Sequence, residues 1–200
     1  NFEIKNLTSY KIGGRVGKIY FPETQTEFTN LLRELKDYIV LGNCSNVLIS
    51  SEGYDGNIII TTELKQFDIR GTRVCASCGV KGQMLAQKTA DVSLSGFEFM
   101  IGFPGTIGGN IRMNAGAHGQ CISDTLLTCC LFDKMTFEIV YKTKAEMEFS
   151  YRKSLLENGR YILLYAEFEL KKAPKEDIEE LIKRNLEFRK NIQPTLANPN

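Results

Sequence analysis

The chain has 200 residues, of which 42% are hydrophobic and 24% are charged, so it can fold as one sizeable domain or two small ones. Its 25 basic and 24 acidic side chains leave a formal net charge of +1, which excludes the strongly basic field typical of nucleic-acid-binding proteins. No apolar run approaches the roughly 18 residues that a membrane span needs, and the first residues lack the apolar stretch of a signal peptide. We therefore expect a cytoplasmic protein that binds neither nucleic acid nor a membrane.

The first third of the chain predicts a small β-α-β unit. Thr24 and Glu27 have the spacing of a helix capping box, and apolar residues then recur at helical intervals, which predicts an amphipathic helix over 25–36. This helix lies between a short strand over 19–21 and a strand that ends at Leu41.

The rest of the chain alternates strand and helix patterns, and its composition changes near residue 66. We therefore predict two α+β lobes, residues 1–66 and 67–200. Turn residues between β-branched and aromatic runs predict two hairpins, and apolar residues at helical spacing predict two helices. In chain order, the predicted elements are a strand over 58–61, a hairpin of 67–69 with 74–78, a helix over 80–90, a hairpin of 125–132 with 136–142, a strand over 161–170, a helix over 176–188 with Ile178, Leu181, Ile182 and Leu186 on one face, and an extended segment over 193–199.

Six cysteines raise the question of a disulfide or metal framework. Cys75 and Cys78 have C-x-x-C spacing, but they lie in a predicted strand, where positions three apart point to opposite faces. Neither a second C-x-x-C pair nor a pair of histidines completes a zinc set. We expect reduced, buried thiols and no bound metal.

Two glycine-rich segments are the most informative features of the sequence. The first, which we call the glycine turn, is Gly42–Asn46 and follows an apolar run; successive amides in such a turn form a concavity suited to a phosphate. The second, which we call the glycine loop, is Gly96–Gly119 and contains seven glycines with almost no side-chain charge. Dense glycine outside a repeat indicates that a ligand or another backbone approaches the chain closely.

Ordinary catalytic motifs are missing from the sequence. His118 is the single histidine and lies inside the glycine loop, which argues against a Ser-His-Asp or Cys-His set. Neither glycine segment matches the P-loop or the G-x-G-x-x-G dinucleotide fingerprint. A chain with ligand-binding loops but little acid–base machinery suggests that a cofactor supplies the reactivity.

Several motifs occur in the order found in one known family. They are NLTSYKIGG at 6–14, GNCSNVLI at 42–49, LSGFE at 94–98, GFPGTIGG at 102–109, MNAGAHG at 113–119, FSYRKS at 149–154, and Arg189 four positions before the pair Gln193 and Pro194. In these motifs the chain resembles the UDP-N-acetylenolpyruvoylglucosamine reductase family along essentially its whole length.

The resemblance implies an α+β, two-lobed FAD-binding fold of the vanillyl-alcohol-oxidase/PCMH type. It further implies an oxidoreductase of peptidoglycan precursor synthesis that binds FAD non-covalently, is reduced by NADPH, and acts as a monomer. Its substrate would be a UDP-sugar enolpyruvyl ether, which it converts to UDP-N-acetylmuramate. Arg152 is the implied catalytic cation, because negative charge builds on the substrate during hydride addition; an ordinary surface ion pair is the alternative role for this side chain.

The resemblance also assigns the cofactor contacts. The glycine turn would hold the FAD diphosphate through Gly42, Asn43, Cys44, Ser45 and Asn46. The ring and ribityl chain would lie against Gly105, Thr106, Gly108, Gly109, Asn114, Gly116 and Ile162, although Ile162 is also typical of an ordinary core residue. Glu98 belongs to the same motifs and could equally be a helix-end carboxylate.

Some features depart from the family. Glycine usually stands where this chain has Cys44, and a side chain tolerates positive φ poorly. The family also continues into a third, substrate-binding domain that carries a catalytic Ser or Cys and a catalytic Glu, and none of these is present through Asn200. We therefore expect this chain alone to be impaired in turnover. The alternatives are another flavin oxidoreductase of the same fold, with FAD linked covalently to His118, or a non-catalytic flavin-binding module.

Overall fold

The structure is a computed structural model, and it describes residues 2–192. The helices are α1 (Gln25–Glu34), α2 (Gly82–Asp91), α3 (Ile107–Arg112) and α4 (Lys175–Ile192). The strands are β1 (Phe2–Glu3), β2 (Arg15–Tyr20), β3 (Tyr38–Leu41), β4 (Tyr54–Ile60), β5 (Phe67–Arg70), β6 (Arg73–Ser77), β7 (Leu94–Ser95), β8 (Gly116–Ala117), β9 (Gln120–Cys121), β10 (Leu126–Asp133), β11 (Ile139–Thr143), β12 (Tyr161–Glu169) and β13 (Lys171–Lys172).

Helix α1 begins at the capping box that the sequence predicts. The Glu27 amide donates to the Thr24 hydroxyl at 3.1 Å, and the Thr24 amide donates to the Glu27 carboxylate at 3.3 Å. These two bonds satisfy amides that the first helical turn would leave unpaired. The helix buries Phe28 and Leu32, so its apolar face is the predicted one.

The first sheet has the order β1-β2-β4-β3, in which β2, β4 and β3 are parallel. Helix α1 connects β2 to β3, which is the predicted β-α-β unit, and β4 inserts between those two strands. Parallel strands all end at the same edge of a sheet, and ligands of open α/β sheets bind at that edge. The glycine turn begins directly after Leu41, the last residue of β3, and therefore lies there.

The second sheet is antiparallel and has the order β11-β10-β12-β6-β5. Both predicted hairpins are present, as β5 with β6 and β10 with β11. The strand predicted over 161–170 is β12, and it occupies the centre of this sheet. Leu163 and Leu164 near its middle are both buried.

The two sheets share one hydrophobic core. Phe28 and Ile59 of the first part of the chain pack in the same buried cluster as Val74 and Leu164 of the second. Gly79, which follows β6, lies directly on the 3-10 turn Thr61–Glu63: a Cβ atom at this position would overlap the carbonyl oxygen of Thr61. The lobe boundary between residues 66 and 67 stays a prediction.

Helix α4 differs from its prediction in the residues that it buries. The sequence predicts that Leu186 belongs to the apolar face, but its side chain is 43% exposed, whereas Asn185 is 3% exposed. The reason is a hydrogen bond from the Asn185 side-chain amide to the carbonyl oxygen of Glu98 at 3.2 Å, which satisfies the buried polar group. The extended segment predicted over 193–199 lies outside the described residues.

The six cysteines are free, and Cys44, Cys78, Cys129 and Cys130 are buried. Burial raises the pKa of the Cys78 and Cys129 thiols to about 12, which keeps them protonated at neutral pH. Within residues 2–192 no helix combines the length and apolar character that crossing a bilayer requires.

We expect Gly79→Ala to destabilise the chain, because the added methyl group has no room against the Thr61 carbonyl. The expected loss in the free energy of unfolding is about 1–3 kcal/mol, typical of overpacking. Urea unfolding followed by circular dichroism measures it. An unchanged midpoint would show that the junction between the sheets is loosely packed.

Candidate functional site

The structure brings the glycine turn and the glycine loop together. The Asn43 side-chain amide donates to the carbonyl oxygen of Pro104 at 3.0 Å, across 61 residues of sequence. Gly42 lies so close to Thr106 that a Cβ atom on the glycine would overlap the threonine hydroxyl. The two segments therefore form one continuous surface, as elements that bind a single ligand must.

Cys44 occupies the left-handed region in the glycine turn, with φ of 50°. Its side chain is buried among Ile4, Val16 and Ile58, and its thiol contacts the carbonyl oxygen of Gly42. Burial raises the pKa of this thiol to about 11. Cys44 therefore adopts the left-handed conformation that favours glycine. Its side chain packs in the core and does not fill the concave side of the turn.

The glycine turn carries a run of unpaired amides. In the part of the chain that the structure describes, the backbone N–H groups of Asn43, Cys44, Ser45 and Asn46 donate no hydrogen bond. Unpaired amides that follow one another around a turn attract an anion, because their dipoles converge on one point. The donor set of this turn fits a phosphate or diphosphate group.

The glycine loop contributes the N-terminus of α3. Thr106 caps this helix by accepting a bond from the Gly109 amide at 3.4 Å, and it is 1% exposed. The Ile107 and Gly108 amides are already bonded, at 2.8 Å each, to the carbonyl oxygens of Val80 and Cys78. Among residues 2–192, the Gly105 and Thr106 amides donate no hydrogen bond.

Protein packing explains some of these glycines without any ligand. A Cβ on Gly105 would overlap the side-chain oxygen of Asn110, and one on Gly116 would lie 2.6 Å from the carbonyl oxygen of Gln120. Gly108 is also tight, with a Cβ position 3.2 Å from Cys78. Packing against the protein therefore accounts for glycine at positions 105 and 116, and it leaves little room at position 108.

Gly109 is different, because the protein leaves room for a side chain there. The nearest atom to a Cβ at this position would be the Thr106 hydroxyl, at an ordinary 3.7 Å. Glycine inside a helix is less stable than alanine by about 0.5–1 kcal/mol. Packing within the protein therefore does not require glycine at position 109.

Asn114 connects the glycine loop to the turn that carries Arg152. Its side-chain amide donates to the carbonyl oxygen of Ser150 at 3.1 Å, and its side-chain oxygen accepts from the Ser123 amide at 3.4 Å. Both ends of the Asn114 amide group are therefore bound by protein. These two bonds fix the orientation of the side chain, and the Asn114 backbone has φ of 39°.

Arg152 lies at the tip of a tight turn, which we call the arginine turn, residues 150–153. Ser150 and Lys153 exchange two backbone hydrogen bonds of 3.2 Å, and Arg152 adopts φ of 57° between them. Ser154, which is 1% exposed, donates its hydroxyl to the carbonyl oxygen of Arg112 at 3.0 Å. Ser154 and Asn114 thus tie both ends of the arginine turn to the segment around the end of α3.

The guanidinium of Arg152 is exposed and lies 5.7 Å from the ring centroid of Tyr151. No carboxylate within residues 2–192 lies close enough to form an ion pair with it. Within residues 2–192, Arg152 therefore does not form the surface ion pair that its sequence position suggested as an alternative role. A cation held on an ordered turn is available to an anionic ligand.

Ile162 lies on β12, opposite Phe132 of β10, and packs partly buried against the core. Two residues further along, the carbonyl oxygen of Leu164 accepts from the Cys78 amide at 3.0 Å, and the Cys78 carbonyl in turn accepts from the Gly108 amide. Cys78 therefore links strand β12 to helix α3 through its two backbone hydrogen bonds. Ile162 therefore packs against the core on a strand that Cys78 joins to the glycine loop.

Sequence reasoning missed several residues that shape the site. Asn110 is 3% exposed and fills the space over Gly105, while Ser154 anchors the arginine turn. Helix α3 itself was not predicted, because its glycines hide the helical pattern. Thr106 followed by Gly109 at capping distance is the signal that would have located its start.

Comparison with known families agrees with this geometry. Residues 18–134 match the model of a family described as FAD binding domain. The chain belongs to this family. The flavin cofactor and the α+β flavin-binding fold expected from sequence are thereby confirmed.

The chain is also similar to reductases that share one name. It is 42% identical over 191 residues to UDP-N-acetylenolpyruvoylglucosamine reductase of Caldicellulosiruptor bescii, covering 94% of this chain and 60% of that protein. The Bacillus subtilis protein of the same name is 34% identical over 97% of this chain and 66% of its own length. The sequence resemblance is thus confirmed, and the chain spans about 60% of the length of the first relatives that it matches.

Solved structures support the same relationship. UDP-N-acetylenolpyruvylglucosamine reductase of Thermus caldophilus superposes with a TM-score of 0.84 at 29% identity, over 100% of this chain and 71% of the other. A glucose dehydrogenase, Phl p 4.0202, superposes with a TM-score of 0.62 over 84% of this chain and 38% of the other. At 11% identity the second match shows a shared fold alone.

We expect Gly109→Ala to keep the chain folded and to weaken FAD binding. The methyl group fits the protein and favours the helix, so the free energy of unfolding without FAD should stay equal or rise by up to about 1 kcal/mol. Fluorescence titration with FAD should show an affinity at least about tenfold lower. Wild-type affinity in this variant would mean that no ligand approaches the Gly109 backbone.

We expect Ser154→Ala to destabilise the chain by about 1–3 kcal/mol, because it leaves the Arg112 carbonyl oxygen unpaired beside a buried methyl group. Urea unfolding measures the change. Ser150→Ala is a matched control, because Ser150 contributes only its backbone to the arginine turn. The free energy of unfolding of this variant should be close to that of wild type. Equal stability of both variants would contradict an anchoring role for Ser154.

Proposed function

We propose that this chain is the flavin-binding part of a UDP-N-acetylenolpyruvoylglucosamine reductase. The observation that carries the proposal is the run of unpaired amides in the glycine turn, in contact with the glycine loop where Gly109 leaves room for a ligand. The relatives that match nearly the whole of this chain support the choice of reaction. The proposed substrate is a UDP-sugar enolpyruvyl ether, and the proposed product is UDP-N-acetylmuramate.

Two groups of residues would hold FAD between the proposed lobes, residues 1–66 and 67–200. The backbone of the glycine turn would bind the diphosphate. The Gly105 and Thr106 amides and the backbone of Gly109 would face the ribityl chain and the ring system. Four further residues would shape this part of the site: Gly108, Asn114, Gly116 and Ile162.

FAD, when bound, supplies hydride transfer, with NADPH as the proposed reductant. The chain's own contribution to the second half of the reaction is the cation of Arg152. Addition of a hydride to the enolpyruvyl double bond develops enolate-like negative charge at the substrate carboxylate. A guanidinium held by an ordered turn stabilises that charge without having to reorganise in the transition state.

The cofactor proposal is tested by the absorbance spectrum of the purified chain. We expect flavin bands that co-elute with the protein and that pass into the supernatant after acid precipitation, because the FAD is non-covalent. Colour that remains in the pellet would favour the covalent oxidase with flavin on His118. A chain that neither retains nor binds added FAD would contradict the proposed site.

The role of Arg152 is tested in a chimaera in which this chain replaces the matching 191 residues of the Caldicellulosiruptor bescii relative. We expect Arg152→Ala to lower turnover of the enolpyruvyl substrate about 10²–10³-fold, the size of effect seen when a charge-stabilising group is lost. Arg152→Lys keeps the charge but not the planar fork, and it should recover part of this loss.

NADPH-dependent reduction of the flavin, followed by stopped-flow absorbance, is the control. We expect it to be the same in wild type and Arg152→Ala, because Arg152 is proposed to act only on the second substrate. Equal loss in both half-reactions would mean that the substitution damages the site as a whole. Unchanged turnover would favour a binding module without this catalytic cation.

A further inference from the structure

We propose that helix α4 positions the glycine loop, and that Asn185 and Phe188 are the residues through which it acts. The inference rests on the proposed function only in that the loop is taken to bind FAD. It concerns a part of the chain that lies beyond residue 134, where the match to the FAD-binding family model ends.

The first contact holds the start of the loop. The Asn185 side-chain amide donates to the carbonyl oxygen of Glu98 at 3.2 Å, and both residues are buried. The Glu98 carboxylate in turn accepts from the Gly96 amide at 2.8 Å, and Gly96 has φ of 134°. Asn185 therefore holds Glu98, and Glu98 in turn stabilises the positive φ of Gly96, where the loop begins.

The second contact holds the far end of the loop. The ring of Phe188 meets that of His118 edge to face, with centroids 5.4 Å apart and planes at 76°. His118 has φ of 55° at the tip of the β8–β9 hairpin, directly after Gly116 and Ala117. Aromatic pairs of this geometry stabilise beyond the area that they bury.

A third contact lies between these two. A Cβ atom on Gly102 would come within 2.8 Å of the Cδ atom of Arg189, so the arginine stem covers the loop's backbone there. Residues 185, 188 and 189 are spaced by three and four positions, which places them on one face of a helix. One turn of α4 thus contacts the loop at two places near its start, Glu98 and Gly102, and at His118 near its end.

This arrangement predicts a specific effect on cofactor binding. A loop that is already ordered loses less conformational entropy when it binds a ligand than a mobile one does. Helix α4 would therefore raise FAD affinity without touching FAD. Phe188 is the sharper position to test, because its side chain is 54% exposed and its loss leaves no buried cavity.

Hydrogen exchange of the 200-residue chain without FAD tests the positioning directly. We expect Phe188→Ala to increase the exchange rates of amides in 113–121 about three- to tenfold. Phe188→Tyr, which keeps the ring, should restore the wild-type rates. Leu186→Ala, on the same helix turn but outside the contact face, should leave them unchanged.

FAD titration of the same variants supplies the second readout. We expect Phe188→Ala to raise the dissociation constant about three- to tenfold, and Phe188→Tyr to restore it. His118→Ala should have the same effect, and the double variant should be no weaker than either single one, because both remove one contact. For Asn185→Ala we expect faster exchange over 96–102.

The inference is overturned if loop exchange in Phe188→Ala equals that of wild type, or if the Leu186→Ala control changes as much as Phe188→Ala does. Additive losses of FAD affinity in the double variant would also overturn it. If wild type binds no FAD, the proposed function fails, and hydrogen exchange alone still decides whether α4 holds the loop. Should Asn185→Ala unfold, the surface variants of Phe188 carry the test.

Discussion

The site depends on the close approach of Gly42 to the Thr106 hydroxyl. This contact joins the end of a parallel strand in the first sheet to the start of a helix that packs on the second. It requires that residue 42 have no side chain, because any Cβ would overlap the hydroxyl. The Asn43 bond to Pro104 supports the same junction. If the junction opened, the unpaired amides of the glycine turn and of residues 105 and 106 would no longer face one ligand.

The glycines of the glycine loop differ in what requires them. At Gly105 and Gly116 a side chain is excluded by neighbouring protein atoms, so these glycines would be needed in a protein with no cofactor. At Gly109 the protein has room, so packing does not require the glycine, and we propose that bound FAD does. The distinction matters because a count of glycines cannot separate packing from binding, whereas the space around each Cβ position can.

The parts of the chain to which we assign a chemical role are held by side chains that have none. Ser154 and Asn114 fix the arginine turn, which keeps the exposed guanidinium of Arg152 on an ordered support beside the glycine loop. Helix α4 contacts that loop through Asn185 and Phe188. A charge that is to stabilise a transition state must already be in position, since reorganisation during the reaction would cancel much of its benefit. The hydrogen bonds around it supply that order.

The sequence by itself determined the elements that are set by local chemistry. Capping at Thr24, the apolar periods of α1 and α4, both hairpins and the family motifs are short-range patterns, and they identified the fold and the flavin cofactor. It did not reveal α3, whose glycines mask its helical period, nor the burial of Asn185 in place of Leu186. Only the tertiary structure decided that Asn114 binds protein through its side chain, that Arg152 lacks a carboxylate partner among residues 2–192, and which glycine leaves room for a ligand. Each of these depends on atoms brought together from distant parts of the chain, and no local pattern encodes such distances.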